Sequence, residues 1–155
     1  MAWLTIDLTL FAALFAHMAG RVKYRLGAKA PNLNCDSSQI TRLDCSGVVR
    51  YVLHRAGIHD VPDGSQAQLA WCRQKGFKTS SYDANGAGRC DGALRIAFAS
   101  PKGGKAWPRH VWFIHNGRTY ESYAGHGVGS RQWNNPKLTS IVSACYVLTR
   151  PTKST

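Results

Sequence analysis

Residues 44–57 read DCSGVVRYVLHRAG and have the pattern of an amphipathic helix that begins beside a cysteine. Asp44 is a preferred N-cap residue type, so Cys45 falls in the first turn, and Gly57 is a typical stop signal. The apolar residues between these ends have helical spacing: Val48, Val49, Val52, Leu53 and Ala56. We therefore predict a helix whose N-terminus presents the Cys45 thiol.

A thiol in this position has two properties that suit a nucleophile. The positive end of the helix dipole and the unpaired N–H groups of the first turn both favour the thiolate over the thiol. The same N–H groups can hold the oxyanion that forms when a thiolate attacks a carbonyl. The alternative is that Cys45 is a small, inert, buried side chain, and a partner base decides between the two.

A β-hairpin downstream supplies a candidate base. The segment 110–115, HVWFIH, is rich in β-branched and aromatic residues, Asn116-Gly117 follows, and the segment 118–123, RTYESY, resumes the strand pattern. A two-residue type I′ turn at Asn116-Gly117 pairs Phe113 with Tyr120. We therefore predict two antiparallel strands with a fixed register.

This register places His110 and Glu121 on the same face of the hairpin. They become diagonal neighbours, with Cα atoms roughly 7–8 Å apart, which long side chains can bridge. His115 falls on the opposite face and is the poorer candidate. The alternative for Glu121 is an exposed charge paired with one of its basic neighbours: Arg118, Arg109 or Lys105. The geometry favours a nucleophile, base and orienter made of Cys45, His110 and Glu121.

With these residues in place, the chain resembles the NlpC-type family of papain-like cell-wall cysteine peptidases and amidases. The resemblance rests on five segments: Asp44-Cys45-Ser46-Gly47-Val48-Val49, His110-Val111, Glu121, Tyr24-Arg25-Leu26-Gly27, and Val61 to Gln68. It extends over roughly residues 10–148. Small phage lysins and toxin-like effectors of about this length are similar.

The resemblance implies a papain-like α+β fold in which N-terminal helices pack on a central antiparallel sheet. It also implies cleavage of amide bonds in the peptide stems of peptidoglycan. We separately expect no cofactor and no metal. The predicted site comprises a catalytic set, Cys45, His110 and Glu121, and a substrate and oxyanion set, Tyr24, Asp44 and Ser46. A papain-like transferase or deamidase toxin that acts on a protein would use the same residues.

Three positions depart from the family pattern. The stretch from Tyr24 to Cys45 is longer than the usual spacing. Ala93 follows Gly92 where the family usually has an acidic residue before a strand. Glu121 stands where the family more often has His, Asn or Gln, and an acidic residue there is more similar to related amidase branches.

Composition limits the remaining possibilities. The chain of 155 residues has 20 Lys and Arg against 8 Asp and Glu, a formal net charge of +12, and 44% hydrophobic residues. This composition favours one folded domain over 1–155, predicted to be monomeric, and excludes a disordered chain. The charge would attract anionic envelope polymers, and a basic surface that is merely solvated is an equal alternative. We find no specific nucleic-acid motif, although a basic polyanion-binding module is a rival to the enzyme.

The N-terminal segment bears on where in the cell the protein is made and acts. Apolar residues at Leu4, Leu8, Phe11, Phe15 and Met18 favour a packed helix over a signal peptide, which would need a basic segment ahead of it. No stretch reaches the roughly 20 apolar residues of a transmembrane helix. We expect synthesis in the cytoplasm with action at the bacterial wall, in phage lysis or as an injected effector.

The chain has five cysteines and two polar segments that contain glycine. The cysteines have no zinc-type spacing, so we expect reduced thiols, with a bridge between Cys72 and Cys90 as the alternative. Loops are predicted over 78–89 and 100–108, on either side of a strand at 93–98. Such loops often border the cleft of an enzyme.

Overall fold

The computed structural model describes residues 2–100 and 109–152, and its regular elements in these ranges are four α-helices and six β-strands. The helices are α1 (Leu8–Met18), α2 (Cys45–Arg55), α3 (Ser65–Lys75) and α4 (Pro136–Thr139), with a short 3-10 helix at Ser37–Gln39. The strands are β1 (Lys78–Thr79), β2 (Leu94–Ala99), β3 (His110–His115), β4 (Arg118–Tyr123), β5 (Gly127–Gly129) and β6 (Val142–Val147).

The strands form a single antiparallel sheet in the order β1-β6-β2-β3-β4-β5. The two central strands, β2 and β3, pair along their whole length, from Leu94 opposite His115 to Ala99 opposite His110. The helices α1, α2 and α3 precede the sheet in the chain and pack on it. The predicted α+β class, with N-terminal helices on a central antiparallel sheet, is confirmed.

Both faces of the sheet are covered, which explains why β2 and β3 have few polar residues. Successive side chains of a strand point to opposite faces. One set packs with the helices in the main core and includes Ile96, Phe98, Val111 and Phe113. The other set, which includes Trp112 and Ile114, packs with Leu138 of α4 and with Tyr82 and Trp133. His110 follows the alternation of this second set and stacks on Trp112.

The N-terminal segment forms the packed helix that its apolar spacing predicts. Asp7 caps α1 by accepting a hydrogen bond from the Leu10 N–H at 3.1 Å. Phe11 and Phe15 are buried, and their rings contact the ring of Phe113 at centroid distances of 5.0 and 6.0 Å. Among the described residues, no helix is long and apolar enough to span a membrane.

The hairpin has the predicted turn and register. Asn116 and Gly117 both have positive φ, at 48° and 76°, as a type I′ turn requires. β3 pairs with β4 through three residue pairs: Phe113 with Tyr120, Ile114 with Thr119, and His115 with Arg118. The Asn116 side chain also accepts a hydrogen bond from the Gly92 N–H at 3.0 Å, which ties the turn to the segment before β2.

Two boundaries differ from the prediction. The strand expected at 93–98 is shifted by one residue, because Ala93 instead follows the turn at Asp91 and donates its N–H to that carboxylate. The predicted loop over 78–89 begins with β1, which pairs with β6 at the edge of the sheet. Residues 101–108 of the other predicted loop lie outside the described residues. All five cysteines are free thiols, with Cys72 buried and Cys90 exposed.

Candidate active site

The N-terminus of α2 places Cys45 against the start of β3. Cys45 is the first residue of the helix and is 7% exposed. Its Sγ lies 3.9 Å from the carbonyl oxygen of Arg109, the residue immediately before His110. The valines and Leu53 of α2 lie in the main core, so the helix is fixed against the sheet by burial along its length.

The carboxylate of Asp44 organises the chain around this helix start. It accepts hydrogen bonds from the Gly47 N–H at 2.7 Å and from the Gly27 N–H at 3.1 Å. It also forms an ion pair with Lys29 at 2.9 Å. Burial lowers the pKa of Lys29, but its hydrogen bonds to Asp44 and Asp63 outweigh burial and raise it. Asp44 therefore ties the segment after Tyr24 to the first turn of α2.

The imidazole of His110 lies between the thiol and a carboxylate. Its Nε2 donates a hydrogen bond to Glu121 Oε1 at 2.7 Å, which leaves Nδ1 for Cys45. The ring is held flat by stacking on Trp112, with ring centroids 5.1 Å apart and an interplanar angle of 22°. Burial lowers the pKa of His110, but the hydrogen bonds to Cys45 and Glu121 outweigh it and raise the pKa to about 9. The arrangement favours an imidazolium at neutral pH.

Glu121 has no exposed surface and is held by three side chains. Besides His110, it binds the guanidinium of Arg131 through both oxygens and accepts a hydrogen bond from the Thr119 hydroxyl. Burial raises the pKa of Glu121, but the bonds from His110, Arg131 and Thr119 outweigh it and lower the pKa. The alternative of an exposed charge on Glu121 is wrong, because its side chain is fully buried. Of the basic neighbours considered, Arg118 instead bonds Ser130, and Lys105 lies outside the described residues.

The three residues of the predicted substrate and oxyanion set have different surroundings. Tyr24 is near the thiol: its pKa is raised first by burial and then by the charges of Cys45 and Asp44. Ser46 is buried; its hydroxyl donates to Asp44 Oδ1 at 3.2 Å and accepts from Lys29 Nζ at 2.9 Å. The side chains of Asp44 and Ser46 thus bind each other and Lys29, and a role beside the substrate stays a prediction for all three.

A cavity of about 310 Å³ opens beside His110. Its walls are basic and aromatic, and no Asp or Glu is among the described residues that line it. The lining residues that carry positive charge or an imidazole are Arg109, His110, His126, Arg131 and Lys137. Among the described residues, no group of three or more His, Cys, Asp or Glu side chains could hold a metal ion. The site can therefore present a nucleophile, a base and a cationic binding surface.

Two residues of this site were missed from the sequence. Arg131 lies eight residues beyond the end of β4 and has no sequence pattern in common with His110 or Glu121, so only the folded chain reveals the contact. Gln68 of α3 is fully buried, and its side-chain amide donates to the carbonyl of Ser46 at 3.0 Å. Its only sequence signal is its place at the end of the segment Val61 to Gln68. Through this bond α3 braces the first turn of α2.

No family model and no curated protein sequence matches the chain. The chain is, however, similar to several solved structures. An NLP/P60 family protein of Staphylococcus aureus has a TM-score of 0.60 and 21% identity over 94% of this chain. An NlpC/P60 family protein of Bacillus cereus has a TM-score of 0.65 and 18% identity over 96% of this chain. The NlpC/p60 domain of the peptidoglycan hydrolase SagA has a TM-score of 0.57 and 19% identity over 91% of it.

These similarities show that the chain has an NlpC-type fold. The chain spans 43% of the staphylococcal protein and 41% of the Bacillus protein, but 98% of the isolated SagA domain. The chain thus spans less than half the length of the two longer proteins, which contain further segments that it does not match.

Proposed function

We propose that this chain is an NlpC/P60 enzyme that cleaves amide bonds in the peptide stems of peptidoglycan. One observation carries the proposal: Cys45, at a helix N-terminus, lies beside an imidazole that a fully buried carboxylate holds. The fold that surrounds this arrangement is also that of a domain from a peptidoglycan hydrolase. The proposed site of action is the bacterial cell wall.

In the proposed reaction, the Cys45 thiolate attacks the carbonyl carbon of the amide and forms a tetrahedral oxyanion. The imidazolium of His110 then donates its proton to the leaving amine, the C–N bond breaks, and a thioester to Cys45 remains. Water attacks the thioester while His110 accepts its proton, which releases the carboxylic acid and restores the thiolate and imidazolium. Glu121 orients the imidazole and stabilises its charged form.

The oxyanion would be held by the first turn of α2. The first N–H groups of a helix have no partner within the helix. The Gly47 N–H already binds Asp44, so the N–H groups of Cys45 and Ser46 are the donors of this turn that we assign to the oxyanion. The hydroxyl of Tyr24, which lies near the thiol, is proposed as a further donor.

The charge of the cleft supports a substrate that carries carboxylates. Arg109, Lys137 and His126 line the cavity beside His110 without an acidic neighbour among the described lining residues. Stem peptides contain free carboxylates close to their amide bonds, so cationic walls would attract and orient them. The same charge would hold the enzyme near anionic envelope polymers.

The test is to replace the nucleophile and measure wall digestion. Cys45→Ala should abolish the clearing of purified walls while circular dichroism and the melting temperature stay close to those of the parent. The matched control is Cys90→Ala, which removes the exposed thiol of the chain and should clear walls normally.

Mass spectrometry of the digested walls would identify the bond and the acceptor. Hydrolysis adds water at the cut amide, whereas a transferase would join the acyl group to an added amine. Clearing of walls by Cys45→Ala at the parental rate would exclude the proposed mechanism. Absence of iodoacetamide labelling at Cys45 at neutral pH would instead favour a binding module.

A further inference from the structure

Arg131 forms a two-point ion pair with the carboxylate that orients the imidazole. Its Nη2 donates to Glu121 Oε1 at 2.7 Å, and its Nε donates to Oε2 at 3.1 Å. Oε1 is thus shared between Arg131 and His110, whose Nε2 lies at the same distance of 2.7 Å. Oε2 is shared between Arg131 and the hydroxyl of Thr119. Every contact of Glu121 with His110 is therefore made by an oxygen that also binds Arg131.

A carboxylate without exposed surface needs such partners. Glu121 is 0% exposed, and removing a carboxylate from water costs several kcal/mol unless opposite charge and hydrogen bonds compensate. Planar guanidinium groups bind carboxylates in a two-point geometry that restricts their orientation. Without Arg131, His110 and Thr119 would each bind only one oxygen of Glu121, and the two-point restraint on rotation about its last bond would be lost.

Arg131 is itself held by contacts that do not involve Glu121. Its N–H donates to the Thr119 hydroxyl at 2.8 Å, and its carbonyl accepts from the Thr119 N–H at 2.7 Å. Its guanidinium lies 4.0 Å from the ring centroid of Tyr123, within cation–π distance. Its side chain is only 16% exposed. Thr119 therefore fixes the backbone of Arg131, and the ring of Tyr123 packs against its guanidinium.

We propose that Arg131 is a positioning residue for catalysis: it fixes the orientation in which Oε1 binds His110 and shares the negative charge of Glu121 with the imidazolium. This proposal rests on the proposed function, in which His110 acts as acid and base. Arg131 acts through Glu121 and touches neither the thiol nor the reacting amide. The resulting chain of contacts runs from Cys45 through His110 and Glu121 to Arg131.

Several charged or titratable groups lie beside this series of contacts from Cys45 to Arg131. Cys45 faces His110 from the start of α2, and Glu121 faces it from β4. Tyr24 lies near the thiol, and Arg109, His126 and Lys137 line the cavity beside His110. Tyr82 lies near Glu121 and Arg131, and burial raises its pKa, so it stays neutral over the range in which the imidazole titrates. Arg131 is therefore the fixed positive charge nearest to the carboxylate among the groups that these contacts identify.

The removal of Arg131 should change the titration of His110 in a predictable direction. The positive charge of Arg131 offsets part of the negative charge of Glu121 and also repels the imidazolium. Without it, an ionised Glu121 would bind the proton of His110 more tightly, and the imidazolium would persist to higher pH. A more tightly held proton is a poorer one to donate, so kcat should fall on the order of tenfold. KM should change little because Arg131 is occupied by Glu121.

The experiment compares Arg131→Met with Arg131→Lys and with a matched control, Arg118→Met. Arg118 is an exposed arginine of β4 that bonds Ser130, the neighbour of Arg131, but does not contact Glu121. The titration of His110 is followed by histidine NMR and assigned by the signal that His110→Asn lacks. Rates are measured on isolated stem peptides as separate kcat and KM values.

We expect Arg131→Met to shift the titration of His110 to higher pH and to lower kcat, and Arg118→Met to behave as the parent. Arg131→Lys keeps the charge but not the two-point geometry, so its kcat should lie between those of the parent and Arg131→Met. A parental titration and kcat in Arg131→Met would overturn the proposal. If Arg131→Met does not fold, parental values in Arg131→Lys would overturn it.

The titration needs no substrate, which separates this proposal from the proposed function. A parent chain that cuts no wall material would reject the hydrolase, whereas the shift of the His110 titration would still decide whether Arg131 acts on the imidazole through Glu121.

Discussion

His110 is the residue whose protonation links the site to pH. Its ring is bonded on one side to Glu121 and faces Cys45 on the other, and its pKa is raised to about 9 although burial alone lowers it. In the unfolded chain a histidine has a pKa of about 6.5. At pH values between these two pKa values, His110 therefore carries a proton in the folded state but has lost it in the unfolded state.

This difference predicts how stability depends on pH. A group with a raised folded pKa contributes stability that is fully present below about 6.5 and is lost as pH rises through about 9. The free energy of unfolding, from urea titrations between pH 6 and 10, should therefore decline over this range. Glu121→Gln should flatten the decline in the free energy of unfolding, because it removes the charge that binds the proton. The same variant should keep reduced but measurable wall-cleaving activity.

The control for this prediction is His126→Gln, since His126 is exposed and no carboxylate within residues 2–100 and 109–152 is seen to pair with it. That variant should reproduce the parental decline. A decline of equal size in Glu121→Gln would contradict the role assigned to the carboxylate.

The first turn of α2 is the element on which the nucleophile depends. It is held from three directions: by the Asp44 cap, by Gln68 of α3, and by the Ser122 hydroxyl, which donates to the carbonyl of Leu43 at 2.8 Å. Leu43 immediately precedes the cap. The helix start is thus fixed by side chains from both the helical layer and the sheet.

Gly47 is required at this helix start for reasons of space. A Cβ at this position would lie 2.8 Å from the carbonyl oxygen of Ala28 and 2.9 Å from Asp44 Oδ1, closer than real Cβ atoms approach. In an open helix, alanine in place of glycine stabilises by about 1 kcal/mol. We predict that Gly47→Ala instead destabilises the protein by about 1–3 kcal/mol, as overpacking does, and slows alkylation of Cys45.

Urea unfolding and iodoacetamide kinetics at neutral pH would measure both effects. The sign of the stability change is decisive, because helix propensity and steric overlap predict opposite directions. A Gly47→Ala variant that is more stable than the parent would show that the contact with Ala28 is not restrictive.

The charge of the protein as a whole is +12, and part of it is concentrated at the cleft. Long-range attraction to an anionic wall depends on total charge and is screened by salt. Selection of a carboxylate beside the cut amide depends instead on where the cations lie. These two effects can be separated by removing the same number of charges at different places.

The double variant Arg109→Gln/Lys137→Gln removes two cations of the cleft, and Arg73→Gln/Lys78→Gln removes two exposed cations elsewhere. We predict that the cleft variant raises KM for stem peptides with free carboxylates about tenfold, the effect of losing about 1.4 kcal/mol of binding. It should act less on peptides whose carboxylates are amidated. Steady-state kinetics at two salt concentrations would measure this, and equal effects of the two double variants would contradict it.

The features that could be read from the sequence are those that depend on neighbours in the chain. The cap and apolar spacing of α2 and the Asn116-Gly117 turn are local signals. The turn fixes which residues of β3 and β4 pair, and side-chain alternation then fixes which residues share a face. This register was enough to bring His110 and Glu121 to one face. The helix α1 followed from spacing in the same way.

Other features depended on how distant segments meet. Nothing near Glu121 in the chain indicates that it is buried or that Arg131 binds both its oxygens, because this contact arises only when the segment after β5 folds back along β4. The pairing of β6 between β1 and β2, and the basic cleft beside His110, are of the same kind. Local sequence dictates backbone conformation through sterics and hydrogen bonding, whereas burial and ion pairing between remote residues depend on the packing of the whole chain.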